Sequence, residues 1–128
     1  MSKEKIFIVA GEDSGDLHGS MLVSALKQIN PDVDLYGIGG NRMEKQGIKL
    51  TEHIRNLNVI GIFEVLKHYK RIKKIFDNTV DEIKNINPDK VILIDYPGFN
   101  LRLAKKLKHF GFDVTYFILP QVWAWKES

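Results

Sequence analysis

Residues 90–94 read KVILI, an uninterrupted apolar run that follows a single lysine and is rich in β-branched side chains. Such a run is typical of a strand inside a parallel sheet, because helices cover both faces of that sheet. Further apolar runs predict strands at Lys5–Ala10, Asp34–Gly37 and Asp113–Ile118. We therefore expect four parallel strands, with residues 90–94 as the most buried of them.

Helical patterns separate these strands. We expect helices over Leu17–Gln28, Asn41–Gln46, Ile62–Asn85 and Leu101–Phe110. Each is followed by a glycine or by an Asn-Pro pair, both of which stop helices. The alternation of strands and helices predicts an α/β domain with a Rossmann-like, doubly wound parallel sheet.

Composition narrows the class of protein. The chain has 128 residues, enough for one domain with its own core, and a formal net charge of +3, too small to indicate a nucleic-acid partner. It has no cysteine, which excludes disulfides, zinc–thiolate sites and thiol nucleophiles and suits a reducing compartment. No apolar run approaches the roughly 20 residues of a membrane-spanning helix, and the first run is too short for a secretory signal. We expect a cytoplasmic protein.

The first loop expected at the carboxyl edge of the sheet, where open α/β sheets bind ligands, is residues 11–16, GEDSGD. Its glycine spacing is not that of a dinucleotide site, and its three carboxylates would repel a pyrophosphate. The loop suits a hydroxyl-rich ligand or acid–base chemistry better. The competing interpretation is that Ser14 or Asp16 caps the helix that follows.

Two further loops reach the same edge. Residues 37–43, GIGGNRM, contain three glycines, which indicate either a plain turn or a backbone pressed against a ligand or a helix. Asp95 directly follows the most buried strand, in a partly desolvated position that suits a general base. Asn100 is expected to cap the next helix. No metal site is expected, because no two histidines have the spacing of a ligand pair and Asp32 and Asp34 fit a solvated turn.

The long predicted helix begins with an apolar stripe that runs into a basic cluster. The residues of the stripe and of the cluster include Ile62, Phe63, Leu66, Lys67, Tyr69, Lys70 and Arg71. Apolar side chains beside cations are typical of a surface that lies in an anionic membrane interface. The alternative is a helix packed on two sides with a solvated basic end.

In order and spacing, these motifs resemble the lipid-A-disaccharide synthase family. The matching segments are residues 11–19, 37–43, 59–66, 95–100 and 120–125. The resemblance implies that residues 1–128 form the amino-terminal, acceptor-side domain of a GT-B glycosyltransferase, truncated before its UDP-binding domain and inactive alone. Such an enzyme joins UDP-2,3-diacylglucosamine to 2,3-diacylglucosamine 1-phosphate (lipid X), with inversion and without metal or cofactor.

The resemblance also implies residue roles. Asp95 would be the general base, and Glu12 would be a second acidic catalytic candidate. The family often has an acid at the position of Gly98, so this glycine removes one possible carboxylate and focuses the base assignment on Asp95. The implied substrate-binding residues are Ser14, Gly15, Asp16, Gly39, Gly40, Asn100 and Gln121.

By the same resemblance, the apolar and basic helix would dock on the inner face of the inner membrane of a Gram-negative cell. The enzyme would then be a peripheral membrane protein. A homodimer is a further option. The rival functions are a sugar-nucleotide epimerase and a non-catalytic membrane-surface module. A nicotinamide-binding domain is disfavoured by the glycine spacing and by the acids of the first loop.

Overall fold

The computed structural model describes residues 3–57 and 62–118, and in the second range it describes side chains from residue 69 onward. The elements are β1 (Lys5–Ala10), α1 (Asp13–Ile29), β2 (Asp34–Gly39), α2 (Asn41–Lys45), β3 (Lys49–His53), a 3₁₀ helix (Ile54–Asn56), α3 (Ile62–Ile86), β4 (Lys90–Ile94), α4 (Pro97–His109) and β5 (Val114–Phe117).

The five strands form one sheet in the order β3-β2-β1-β4-β5, and every pairing is parallel. The predicted Rossmann-like α/β fold is therefore confirmed. The chain winds outward from β1 in one direction and then crosses to β4 on the other side, so the direction of winding reverses between β1 and β4. Ala10 pairs with Ile94 at the carboxyl ends of these two central strands.

Apolar side chains cover both faces of the sheet. On one face, Phe7 and Leu93 pack with residues of α3 and α4 such as Ile83 and Leu103. On the other face, the alternate residues of the same strands pack with α1 and α2, as Ile8 does. This two-sided burial explains why β1 and β4 read as continuous apolar runs instead of alternating ones.

The sequence-based prediction missed one strand, placed the beginning of two helices too late and ended β2 at Gly37 instead of Gly39. β3 was missed because its sequence, KLTEH, has one strongly apolar residue, which an edge strand tolerates. α1 begins at Asp13 instead of Leu17, and Glu12 is its N-cap. α4 begins at Pro97 instead of Leu101, because proline fits the first turn of a helix, where its missing N–H costs nothing.

Within residues 3–57 and 62–118, no helix is both long enough and apolar enough to cross a membrane.

Candidate functional site

The Ala10–Ile94 pairing brings two loops out of the sheet side by side. One loop starts at Gly11 and leads into Glu12, and the other starts at Asp95. The aromatic ring of Tyr96 lies against the backbone of Gly11, so closely that a Cβ at Gly11 would collide with it. The two loops are therefore in direct contact at the carboxyl edge of the sheet, where ligands of this fold class bind.

The backbone of Asp95 and Tyr96 is left-handed, with φ of 44° and 53°. Neither residue is glycine, and such a conformation costs on the order of 1–3 kcal/mol per residue unless the surroundings hold it. The Asp95 N–H donates to the carbonyl of Phe117 at 2.7 Å. The Tyr96 hydroxyl donates to the carbonyl of Leu57 at 3.3 Å.

Asn100 also holds this turn. Its Nδ2 donates to the carbonyl of Asp95 at 2.8 Å and to that of Ile94 at 3.2 Å, and the side chain is fully buried. The expectation that Asn100 caps α4 is wrong, because Tyr96 is the N-cap and Asn100 lies inside the helix. The Oδ1 of Asn100 has no hydrogen-bond donor among the described residues.

The electrostatics of the turn involve two carboxylates and two phenols. Burial, and then the negative charge of Glu12, raise the pKa of Tyr96 above its ordinary value. Burial, and then the charge of Asp95, raise the pKa of Tyr116 in the same direction. Each phenol therefore keeps its proton to a higher pH than a free tyrosine, and that of Tyr96 is the donor to the carbonyl of Leu57. Asp95 itself is 9% exposed, which leaves a narrow route for a reacting group.

A protein-family model described as lipid-A-disaccharide synthetase matches residues 6–128. The chain belongs to the lipid-A-disaccharide synthetase family. The resemblance carried by the loop motifs is thereby confirmed.

Curated lipid-A-disaccharide synthases from three bacteria resemble this family member over nearly its whole length. The relative from Myxococcus xanthus is 45% identical over 97% of this chain and 32% of its own length. The relative from Coxiella burnetii is 40% identical over 98% of this chain and 34% of its own. The relative from Trichlorobacter lovleyi is 44% identical over 98% of this chain and 33% of its own length. The chain thus spans about a third of the length of these synthetase relatives.

In this synthetase-family chain, Asp16 caps a helix that the sequence did not suggest as its partner. It lies inside α1, is 5% exposed, and caps α2 instead of the helix that follows its own loop. Its Oδ1 accepts from the N–H of Gly40 at 2.7 Å and of Met43 at 3.1 Å, and its Oδ2 accepts from that of Arg42 at 3.1 Å. The expectation that Asp16 caps α1 was therefore wrong.

Two glycines of residues 37–43, Gly39 and Gly40, are explained by packing against neighbouring side chains. A Cβ at Gly40 would lie 2.7 Å from Oδ2 of Asp16, and a Cβ at Gly39 would collide with the sulfur of Met43. Gly15 packs similarly on Ala10, because a Cβ at Gly15 would lie 3.1 Å from the Cβ of Ala10. Of the two interpretations left open for residues 37–43, these contacts favour close packing on a helix.

The remaining predicted site residues fall into two groups. Glu12 and Ser14 are exposed at the start of α1, and Tyr69, Lys70 and Arg71 are exposed on α3. Gln121 lies outside the described residues, as do the side chains of Ile62, Phe63, Leu66 and Lys67.

A polar pocket of about 330 Å³ at the carboxyl ends of β2 and β3 was missed. Arg42, Arg55 and His53 line it, and His53 Nε2 lies 2.8 Å from Oδ1 of Asn41. The pocket was missed because β3, which carries His53 to this edge, was itself not predicted. Among the described residues, no group of three His, Asp or Glu side chains is placed to hold a metal ion.

Proposed function

We propose that this chain forms the acceptor half of the glycosyl-transfer site of a lipid-A-disaccharide synthase, with Asp95 as the general base. The observation that carries the proposal is the Asp95–Tyr96 turn. A buried carboxylate stands on a strained, well-held backbone at the point where the sheet reverses its winding. Backbone strain that the surroundings maintain is a feature of functional sites, and so is a carboxylate in this position.

In the proposed reaction, Asp95 removes the proton from a hydroxyl of lipid X. The freed oxygen attacks the anomeric carbon of UDP-2,3-diacylglucosamine from the face opposite UDP. A new C–O bond forms as the bond to UDP breaks, so the configuration inverts, UDP leaves with the electron pair and Asp95 keeps the proton. The products are the lipid A disaccharide 1-phosphate and UDP.

Some of the other site residues are proposed to contact the substrate, and others to hold the backbone of the site in position. Exposed Glu12 and Ser14 are proposed to orient sugar hydroxyls. The negative charge of Glu12, after burial, also raises the pKa of Tyr96. Asp16 and Asn100 are proposed to act through the backbone that they hold, since both are buried and hydrogen-bonded within the protein. The proposed substrate-binding residues also include Gly15, Gly39, Gly40 and Gln121.

UDP binding is proposed to lie elsewhere in the longer protein. The acids of residues 12–16 make a poor cradle for a diphosphate, because they repel its negative charge. The same acids support the acceptor-side assignment that the family resemblance implies, because they are suited to bind sugar hydroxyls.

We further propose that the beginning of α3 rests on an anionic membrane surface, on the inner face of the inner membrane. Tyr69, Lys70 and Arg71 are exposed there, and each cation near an anionic surface contributes about 1 kcal/mol of attraction. Both proposed substrates carry acyl chains, so a peripheral position would give the site access to them. A homodimer is compatible with this arrangement.

The decisive test is Asp95→Asn in the full-length protein that contains this sequence. Removal of a general base typically costs about 10²–10⁴-fold in rate, so disaccharide formation should fall at least 100-fold. Asp81→Asn, an exposed carboxylate on α3, is the matched control and should leave the rate unchanged. Near-normal activity of Asp95→Asn would exclude the base assignment. Turnover of the UDP-sugar without lipid X would favour an epimerase instead.

A further inference from the structure

A groove runs between α3 and α4 on the surface of the domain, with a volume of about 600 Å³. We call it the α3–α4 groove. Its apolar lining comes from Tyr69, Ile72, Phe76, Tyr96, Pro97 and Phe99. Phe76 and Phe99 meet edge to face, with ring centroids 5.3 Å apart, and join the two helices at this point. Binding sites for small molecules are commonly about 300–1,000 Å³ and mostly apolar, so the groove is of suitable size and character.

The α3–α4 groove adjoins the Asp95 turn. Tyr96 and Pro97 line its wall and directly follow Asp95 in the chain. The ring of Tyr96 lies 6.0 Å from that of Phe99, so the aromatic lining continues from the turn into the groove. A ligand that reaches Asp95 can therefore extend part of its length along the groove.

Charged side chains also line the groove. Lys73 comes from α3, and Arg102 and Lys106 come from successive turns of α4. One carboxylate, Asp77, accompanies them and pairs with Lys73 at 3.2 Å. Three cations against one carboxylate give the groove a positive potential along an apolar lining. Arginine and lysine are the usual partners of phosphate groups in proteins.

We propose that the α3–α4 groove binds one acyl chain of a phosphorylated, acylated sugar, with the chain on the aromatic lining and the phosphate near Lys73, Arg102 and Lys106. This inference rests on the proposed function, because it assigns a place to the acceptor lipid of that reaction. It adds a substrate-binding surface that begins at the Asp95 turn and extends along α3 and α4, beyond the loops at the carboxyl edge of the sheet. An occupant without a chain would leave the apolar lining unused, and an occupant without negative charge would leave the cations unused.

The test is a binding measurement on the full-length protein that needs no turnover. Decyl phosphate is titrated below its micelle concentration by calorimetry, with inorganic phosphate and the uncharged decyl maltoside as comparison probes. The groove variant is Lys73→Glu with Lys106→Glu. The matched control is Lys74→Glu with Lys105→Glu, which changes the same charge on the same two helices at neighbouring exposed positions that do not line the groove.

We expect the groove variant to bind decyl phosphate at least tenfold more weakly than the parent protein, and the control variant to stay within twofold. Ile72→Asp should weaken binding similarly, while Leu101→Asp, at an exposed position of α4 outside the groove, should not. Circular dichroism and thermal melts establish that all four proteins fold.

Equal weakening in both charge variants would overturn the proposal, and so would unchanged binding in the groove variant. Inorganic phosphate or decyl maltoside binding as tightly as decyl phosphate would also overturn it, because the chain or the charge would then contribute nothing. Asp95→Asn separates this inference from the proposed function. If that variant keeps its activity and the groove variants lose binding, the base assignment fails and the groove proposal stands.

Discussion

The carboxylate of Asp16, in α1, accepts a hydrogen bond of 2.7 Å from the backbone N–H of Gly40, 24 residues further along the chain. The same carboxylate accepts from two more N–H groups at the start of α2. The first turn of a helix leaves such N–H groups without partners, so one side chain here supplies the cap of a helix that belongs to another βα unit.

Asp16→Ala is expected to lower the free energy of unfolding by about 3 kcal/mol, because it removes buried hydrogen bonds to a charged group and leaves their donors unpaired. Asp13→Ala, an exposed carboxylate one turn earlier, is the control and should change it by less than about 0.5 kcal/mol. Urea unfolding measures both. Equal, small losses in the two variants would contradict the capping role.

Gly11→Ala is expected to destabilise the protein by about 1–3 kcal/mol, because the added methyl group meets the ring of Tyr96 and forces it to move. Gly98→Ala is the control: nothing lies within 4 Å of an added Cβ there, and alanine is favoured over glycine in a helix. Combining Gly11→Ala with Tyr96→Ala should recover part of the loss, since the collision is gone. Additive losses would mean that the ring does not cause the effect.

Asn100→Asp is expected to be more harmful than Asn100→Ala, although it is closer to the native side chain in shape. The aspartate would turn acceptor oxygens toward the carbonyls of Ile94 and Asp95, where the amide now donates. Leaving such buried groups unpaired costs about 1–3 kcal/mol, and more when a charge is involved.

The effect of Asn100 on catalysis is expected to pass through Asp95. The turnover number of Asn100→Ala should fall, and its pH–rate profile should shift, while KM changes little. Asn85→Ala, an exposed asparagine on α3, should leave both kinetics and stability unchanged. An unchanged pH profile in Asn100→Ala would reduce its role to stability alone.

The raised pKa of Tyr96 predicts a loss of stability in alkali. The folded state holds the phenolic proton more tightly than the unfolded chain, whose tyrosines titrate near 10.0, so the contribution of Tyr96 is fully present below that pH. It is lost as the pH rises through the higher folded pKa. Tyr96→Phe should therefore show a shallower decline in the free energy of unfolding above pH 10 than the parent protein. Tyr69→Phe, an exposed tyrosine, should decline like the parent.

Much of the fold was predictable from local pattern. β1 and β4 are continuous apolar runs because helices cover both of their faces, and this signal lies wholly within each run. β3 gave no such signal, because an edge strand with one strongly apolar residue depends on its neighbour β2 for its position.

The loops of the candidate site were predictable, but the contacts within and between them were not. The three carboxyl-edge loops were found, since glycines and acids mark them in the sequence. The role of Asp16 was not found, because it depends on a contact across 24 residues. The left-handed turn at Asp95 and Tyr96 was not predicted either. Pro97 disfavours a right-handed helical conformation at Tyr96, yet it does not specify the left-handed one.

The pairing of β1 with β4 has a consequence for folding. The hydrogen bond from the Lys5 N–H to Asp89, at 2.9 Å, closes a loop of 84 residues, and the strand pairing that brings Gly11 beside Tyr96 spans a similar length. Contacts so distant in sequence form late and slowly, because the entropy of closing the loop is lost before the contact repays it. The two halves of the candidate site therefore meet only when the centre of the sheet assembles, and a folding intermediate that lacks this pairing lacks the assembled site.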